Sequence, residues 1–226
     1  MSKRISFVGE GPTDLIVFKA ALMSLTGGAE FVVTQIQPPF DQLQCSNDQG
    51  QFGGGWKGVL KWCTDNSSHG VAEILTNSSC LVIHLDADVA SEAEAEAYDF
   101  GRLEAPCPAA LDTSLNVEAR LRKVLAIEES HPVVFMIPSK ATESWVIAAM
   151  YAYAPPPEIE CLPDPAHWLN GKTPRLVRTK EGKDHEEKRR YNESSVQLIA
   201  AWPKVRVTCA TADHFMERLQ WALGCY

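Results

Sequence analysis

Five acidic residues carry the pattern best suited to chemistry: Glu10, Asp14, Asp86, Asp88 and Glu143. Asp86 and Asp88 close the run "CLVIHLDAD", in which Leu81, Val82, Ile83 and Leu85 belong in the interior of a sheet. Glu10 follows the strand-like "RISFVG" within the turn "EGPTD", and Glu143 opens "ESWVIAAM" after a second apolar run, "HPVVFMIP". Carboxylates at the ends of buried strands are costly unless a cation compensates them. A cluster of three or four offers an all-oxygen ligand set, which suits Mg²⁺ or Mn²⁺. Each acid also has an ordinary role open to it. Glu10 fits a turn, Asp14 and Glu143 fit the first turn of a helix, and Asp86 and Asp88 fit an exposed loop.

Strands and helices must bring these acids together. The sequence predicts strands over 4–9, 30–37, 80–86 and 131–138. A helix is predicted from Asp14 to about Leu25 with Thr13 as N-cap, and "TGG" ends it. Further helices are predicted from Trp56 to about Thr64, and over "NVEARLRKVLAIEE", where Val117, Leu121, Val124 and Leu125 share one face. "KATESWVIAAMYA" reads as a helix capped by Ser139. The alternation implies an α/β fold with a mostly parallel sheet flanked by helices. Ligands of such sheets bind outside the carboxyl ends of the strands, where Glu10, Asp86, Asp88 and Glu143 all fall. Asp86 and Asp88, two apart in an extended chain, are expected on the same side.

"APPPE" at 154–158 marks a boundary, giving a core over 1–154 and a basic, mainly helical C-terminal extension over 155–226 packed on it. Helices are predicted there over 193–202 and 211–223, with a short strand "VRVTC" between them. The chain has 226 residues and a formal net charge of −8, which argues against coating nucleic acid by bulk electrostatics. Its charge is uneven. Residues 84–104 hold seven acids and one base, while 171–190 hold eight bases and four acids. The strip Lys172, Arg175, Arg178, Lys188, Arg189 and Arg190 is a candidate nucleic-acid contact, and a solvated helix face accounts for the same pattern. Seven dispersed cysteines without a C-x-x-C pair, and no signal peptide or membrane-spanning run, point to reduced thiols in the cytoplasm. Cys161 with His167 and Cys209 with His214 lack a standard zinc spacing.

"SFVGEGPTD" followed by "LVIHLDAD" resembles the Toprim domain of the topoisomerase–primase superfamily, with a Glu-Gly turn after a first strand and Asp-x-Asp after a later one. With the downstream "ESW", the chain is more similar to small standalone Toprim-like proteins related to OLD-family nucleases and the DUF4276 group. The resemblance covers roughly residues 3–150. It implies a Toprim, Rossmann-like fold and a divalent-metal-dependent nuclease cleaving DNA or RNA with Mg²⁺ or Mn²⁺, two ions in the OLD-like branch. Glu10 matches the family's ligand or general acid/base, and Asp86 and Asp88 its metal-binding pair. Glu143 and Asp14 match the extra acids of the OLD-like branch. Lys140 is a candidate for stabilising transition-state charge, as are Lys172 and Lys188. No Walker A sequence accompanies the motifs, so the implied context is anti-phage defence with a separate ATPase or sensor partner, and a net acidic chain with one basic strip suggests that substrate binding is strengthened by a homodimer or by that partner. About 70 C-terminal residues lie outside the shared motifs.

Two other readings stay open. "DADV" also resembles the nucleophile motif of haloacid-dehalogenase phosphatases, with Asp86 as nucleophile and Asp88 as acid/base. In that family the motif usually lies on the first strand, and here two strands precede it. The fold also suits a non-catalytic interaction or sensor module.

Overall fold

The computed structural model describes residues 3–38, 52–98, 100, 107, 109–151, 158–173, 176 and 184–225. Four strands form one all-parallel sheet in the order β2-β1-β3-β4, with helices on both faces. They are β1 (Lys3–Val8), β2 (Phe31–Gln37), β3 (Cys80–His84) and β4 (Val133–Met136). The helices are α1 (Pro12–Thr26), α2 (Gly55–Asp65), α3 (Ser68–Leu75), α4 (Ala110–Leu125), α5 (Glu143–Met150), α6 (Pro165–Asn170), α7 (Asp184–Glu193), α8 (Ser195–Thr208) and α9 (Ala210–Leu223).

β3 and β4 are buried at every position. Their unbroken apolar runs are what a strand needs when both of its faces are covered. Alternate residues feed opposite cores. Ile5, Phe7, Val82, Val134 and Met136 pack with α1, α5, α8 and α9, while Val8, Leu81, Ile83, Val133 and Phe135 pack with α2 and α4. The C-terminal helices share the first core with the sheet. Trp145 of α5 meets Trp202 of α8 edge-on and stacks on Phe215 of α9, which in turn meets Phe18 of α1.

Several local expectations are corrected. α1 begins at Pro12 with Gly11 as N-cap, because Pro12 supplies a helical φ where no N–H is needed; Thr13 lies inside the first turn. Thr142, rather than Ser139, precedes α5, and the Ser139 hydroxyl instead donates to the Glu160 carbonyl. The run "VRVTC" is not a strand. α8 continues through it, with Pro203 inside, because Val205 joins the helical core beside Leu198 and Trp202. α3 was not anticipated from the sequence. Cys107 and Cys161 are joined in a disulfide with Cα atoms 5.8 Å apart, so the expectation of reduced thiols throughout is not met. Cys63, Cys80, Cys209 and Cys225 are free. No helix among the described residues is long and apolar enough to cross a membrane.

Candidate functional site

The carboxyl ends of β1 and β3 lie side by side at the centre of the sheet, with Val8 opposite Ile83 and His84 opposite Met136 of β4. Glu10 and Asp86 each leave their strand two residues past its end. Gly9 makes the exit possible. A Cβ there would fall 2.5 Å from the ring of Phe7, which is itself fully buried and stacked on Phe18. The two acidic segments are then tied directly. The Asp86 backbone N–H donates to Glu10 Oε1 at 2.7 Å across 76 positions of sequence.

Asp86 is held from the other side by the entry to α5. The backbone N–H of Thr142 donates to Asp86 Oδ1 at 3.0 Å and its hydroxyl donates to the same oxygen at 3.3 Å. Asp14, in the first turn of α1, turns back to accept the Gly11 N–H at 2.9 Å. Between these groups sits His84, fully buried at the last position of β3. Its Nε2 lies 2.8 Å from the Thr142 hydroxyl and 3.2 Å from Asp86 Oδ1, and its Nδ1 lies 3.6 Å from Asp14 Oδ2. One ligand atom each from Glu10, His84 and Asp86 fall within 4.8 Å of one another, close enough to share one cation.

The electrostatics follow from that crowding. Loss of solvent, then the Asp86 charge, holds the Glu10 carboxyl well above its ordinary value, with His84 pulling the other way. Burial also raises Asp86, followed by the charges of Asp14, Glu143 and Asp88. Asp88 stands on the exposed rim, yet loss of water around its carboxylate and then Glu92 push it up to about 6, against the pull of Lys140. Anions pushed this way are poised for a cation.

Glu143 opens α5, and the phenol of Tyr191 donates to its Oε1 at 3.5 Å. Burial first, then Glu143, Asp14 and Glu187, push the Tyr191 hydroxyl well above its usual value. Tyr191 belongs to α7, so a helix of the C-terminal extension reaches the acids at the sheet edge.

The predicted acids therefore gather, with one change of geometry. β3 ends at His84, and Ala87–Ser91 form a 3-10 turn, so Asp86 and Asp88 do not project to one side as from an extended chain. Asp86 faces the interior contacts and Asp88 faces outward. Lys140 is near enough to act on Asp88. The basic strip is divided. Lys172 lies 4.0 Å above the Trp168 ring, Arg189 pairs with Glu193 at 3.4 Å, and Lys188 and Arg190 lie with Arg189 on α7. Arg175 and Arg178 lie outside the described residues. His84, Thr142 and Tyr191 were not picked out in the sequence. His84 alone left a signal there, as a polar residue inside an apolar strand; Thr142 and Tyr191 are identifiable only by where the fold brings them.

Comparison of the chain with protein-family models, curated proteins and solved structures returned no match, and the functional reading rests on the site itself.

Proposed function

We propose that the protein is a divalent-metal-dependent nuclease that hydrolyses phosphodiester bonds in DNA or RNA. The observation that carries this reading is the pairing of Glu10 with the Asp86 segment at the edge of a parallel sheet, with both carboxyls raised by burial and by neighbouring acids. The motifs that resemble Toprim supply those same two residues. The donor set fits Mg²⁺ or Mn²⁺: the oxygens of Glu10 and Asp86, with Asp14, Asp88 and Glu143 around them and one imidazole, His84, within reach. Bound there, such ions activate water and offset charge growing on the phosphorane and the leaving oxygen.

The chain's own groups have distinct tasks in this reading. Glu10 and Asp86 hold the cation. The Thr142 N–H and hydroxyl fix the Asp86 carboxylate in one orientation, the positioning that supporting residues supply in metal sites. Tyr191 orients Glu143. Lys140, beside Asp88, lies where positive charge stabilises an anionic transition state. α7, which carries Tyr191, also carries Lys188, Arg189 and Arg190, whose positive charge is available to the substrate backbone. A separate ATPase or sensor, with activity directed against phage nucleic acid, is the partner this reading calls for.

The test is Mn²⁺-dependent cleavage of single- and double-stranded DNA and RNA by the wild type and by Asp86→Ala. Cleavage that falls by about three orders of magnitude in the variant supports the reading; cleavage that survives it sinks the reading. Glu10→Ala separates a nuclease from a dehalogenase-type phosphatase, in which Asp86 and Asp88 act without Glu10 and the variant keeps its activity.

A further inference from the structure

A cavity of about 350 Å³ lies between α1 and the α7–α8 pair. Its lining differs in chemistry from the acidic site. Pro12 and Leu15, which line it, flank Asp14 in the first turns of α1, and Lys188 and Asn192, which also line it, bracket Tyr191 on α7. The same two helices therefore carry both features, with the cavity on the Pro12–Leu15–Ile16–Lys19 face of α1 and Asp14 on its opposite, sheet-facing side. Gln35, near the carboxyl end of β2, lines the cavity too, and β2 is hydrogen-bonded to β1, the strand that delivers Glu10.

Three properties of this cavity select a ligand. Its walls include Leu15, Ile16, Val196 and Ile199, which suit the flat apolar face of a ring. Among its described lining residues are two cations, Lys19 and Lys188, and no carboxylate, in a chain whose net charge is −8. The third property is Gln35. Both its amide nitrogen and its amide oxygen are buried and have no hydrogen-bond partner among the described residues. A buried amide left unpaired is unfavourable, and a group offering a donor beside an acceptor relieves it. Aliphatic walls, an amide that pairs edge-on and nearby positive charge match a nucleobase joined to a phosphate. A glutamine matches adenine best, because its amide pairs with a neighbouring donor and acceptor on that base. Bases taken out of a stack are held in this way, between apolar side chains with their edges hydrogen-bonded.

We propose that this cavity is a nucleobase-binding site that takes an unpaired base, preferably adenine, with its phosphate directed to Lys188 and Lys19. The proposal deepens the nuclease reading and rests on it in one respect: a base seated here holds its strand on α1 and α7, the helices that also carry Asp14 and Tyr191. Two sources carry the same chemistry, a single-stranded polynucleotide and a free mononucleotide. The two helices common to the cavity and the acidic site favour the polynucleotide.

The test is calorimetric titration of the full chain with AMP and with a single-stranded oligo-dA hexamer. Ca²⁺ replaces Mn²⁺, so that binding is read without cleavage. Val196 is 74% exposed at the rim, so Val196→Trp fills the mouth without disturbing the core. It is expected to weaken hexamer binding at least ten-fold with an unchanged melting temperature. Gln35→Leu is expected to remove the preference for oligo-dA over oligo-dT. Tight AMP binding that Val196→Trp abolishes, without hexamer binding, keeps the cavity as a nucleotide site and assigns it the free ligand. Wild-type affinity for both ligands in both variants overturns the proposal, as does failure of the wild type to bind either. Cleavage readings separate the two ideas. Asp86-dependent cleavage with normal binding by Val196→Trp removes the base site and leaves the nuclease. Base binding that Val196→Trp abolishes, with no Asp86-dependent cleavage, removes the nuclease and leaves the site.

Discussion

Glu118 and Asp86 are both carboxylates drawn out of water, and the fold treats them in opposite ways. Glu118 lies on α4, where Arg122 donates to its Oε1 from Nε at 3.0 Å and from Nη2 at 2.7 Å. His214 of α9 meets its other oxygen at 3.0 Å. Burial alone raises its carboxyl, but the hydrogen bonds from His214 and Arg122 outweigh that and hold it below its ordinary value. The charges acting on Asp86 are mainly further carboxylates, and its carboxyl is driven up. A carboxylate satisfied within the chain joins two helices. One crowded by its own kind keeps an unbalanced negative charge despite its hydrogen bonds from Thr142, which is what the proposed cation would offset.

The contrast predicts opposite responses to mutation. Removing the charge at Glu118 strands Arg122 and His214, so Glu118→Ala is expected to cost about 2–3 kcal/mol and lower the melting temperature by roughly 5–10 °C. Asp86→Asn, in metal-free protein, relieves repulsion while its amide oxygen still accepts from Thr142. It is expected to raise the melting temperature by a few degrees, about 1 kcal/mol. A scanning calorimeter decides both; loss of stability in Asp86→Asn equal to that in Glu118→Ala erases the distinction.

Cation binding sharpens it next. At a hundred times its dissociation constant, Mn²⁺ is expected to stabilise the wild type by about 2.7 kcal/mol and Asp86→Asn by far less. Glu118→Ala, although less stable, is expected to show the full Mn²⁺-induced shift. Thermal melts with EDTA and with Mn²⁺ read this directly.

Acid separates the two regions again. Between the ordinary aspartate value of 3.8 and about 6, folded Asp88 holds a proton that the unfolded chain has released. Glu10 and Asp86 act in the same direction. Folding of the metal-free protein then takes up protons, so its stability is expected to climb as pH falls through about 6. Glu118 works the other way. Its lowered carboxyl contributes stability above the ordinary glutamate value of 4.5 that is lost as pH falls below it. The stability maximum is thus expected near pH 5 without metal. Saturating Mn²⁺, which requires ionised ligands, is expected to move it upward. A urea-denaturation series across pH, with and without the ion, shows whether the maximum moves.

The smallest effect is expected at Tyr191. Tyr191→Phe removes one long hydrogen bond to Glu143, about 0.5–1 kcal/mol. It is expected to raise the Mn²⁺ concentration for half-maximal cleavage two- to five-fold, with the maximal rate nearly unchanged. An equal loss of maximal rate points instead to a part for the phenol in the chemical step.

Much of the frame was legible in the chain. The apolar runs of β1, β3 and β4 announce strands covered on both faces, and alternation with helices makes the sheet parallel, because a crossover helix returns the chain to the same end. Once the strands are parallel, acids placed just past their ends must share one edge, so the meeting of Glu10 and Asp86 follows from order, whereas Glu143 is carried in at the start of α5. Tertiary structure decided what order cannot carry. The end of β3 at His84 and the 3-10 turn after it send Asp86 and Asp88 to different surroundings, and two-residue spacing does not encode where a strand stops. Packing of α8 on α1 and α5 turned "VRVTC" into helix, since burial beside Trp202 outweighs β-branched propensity. It also brought Tyr191 to Glu143 across 48 residues and closed the cavity around Gln35. Contacts between distant segments depend on how whole faces pack, and no local run of residues records that.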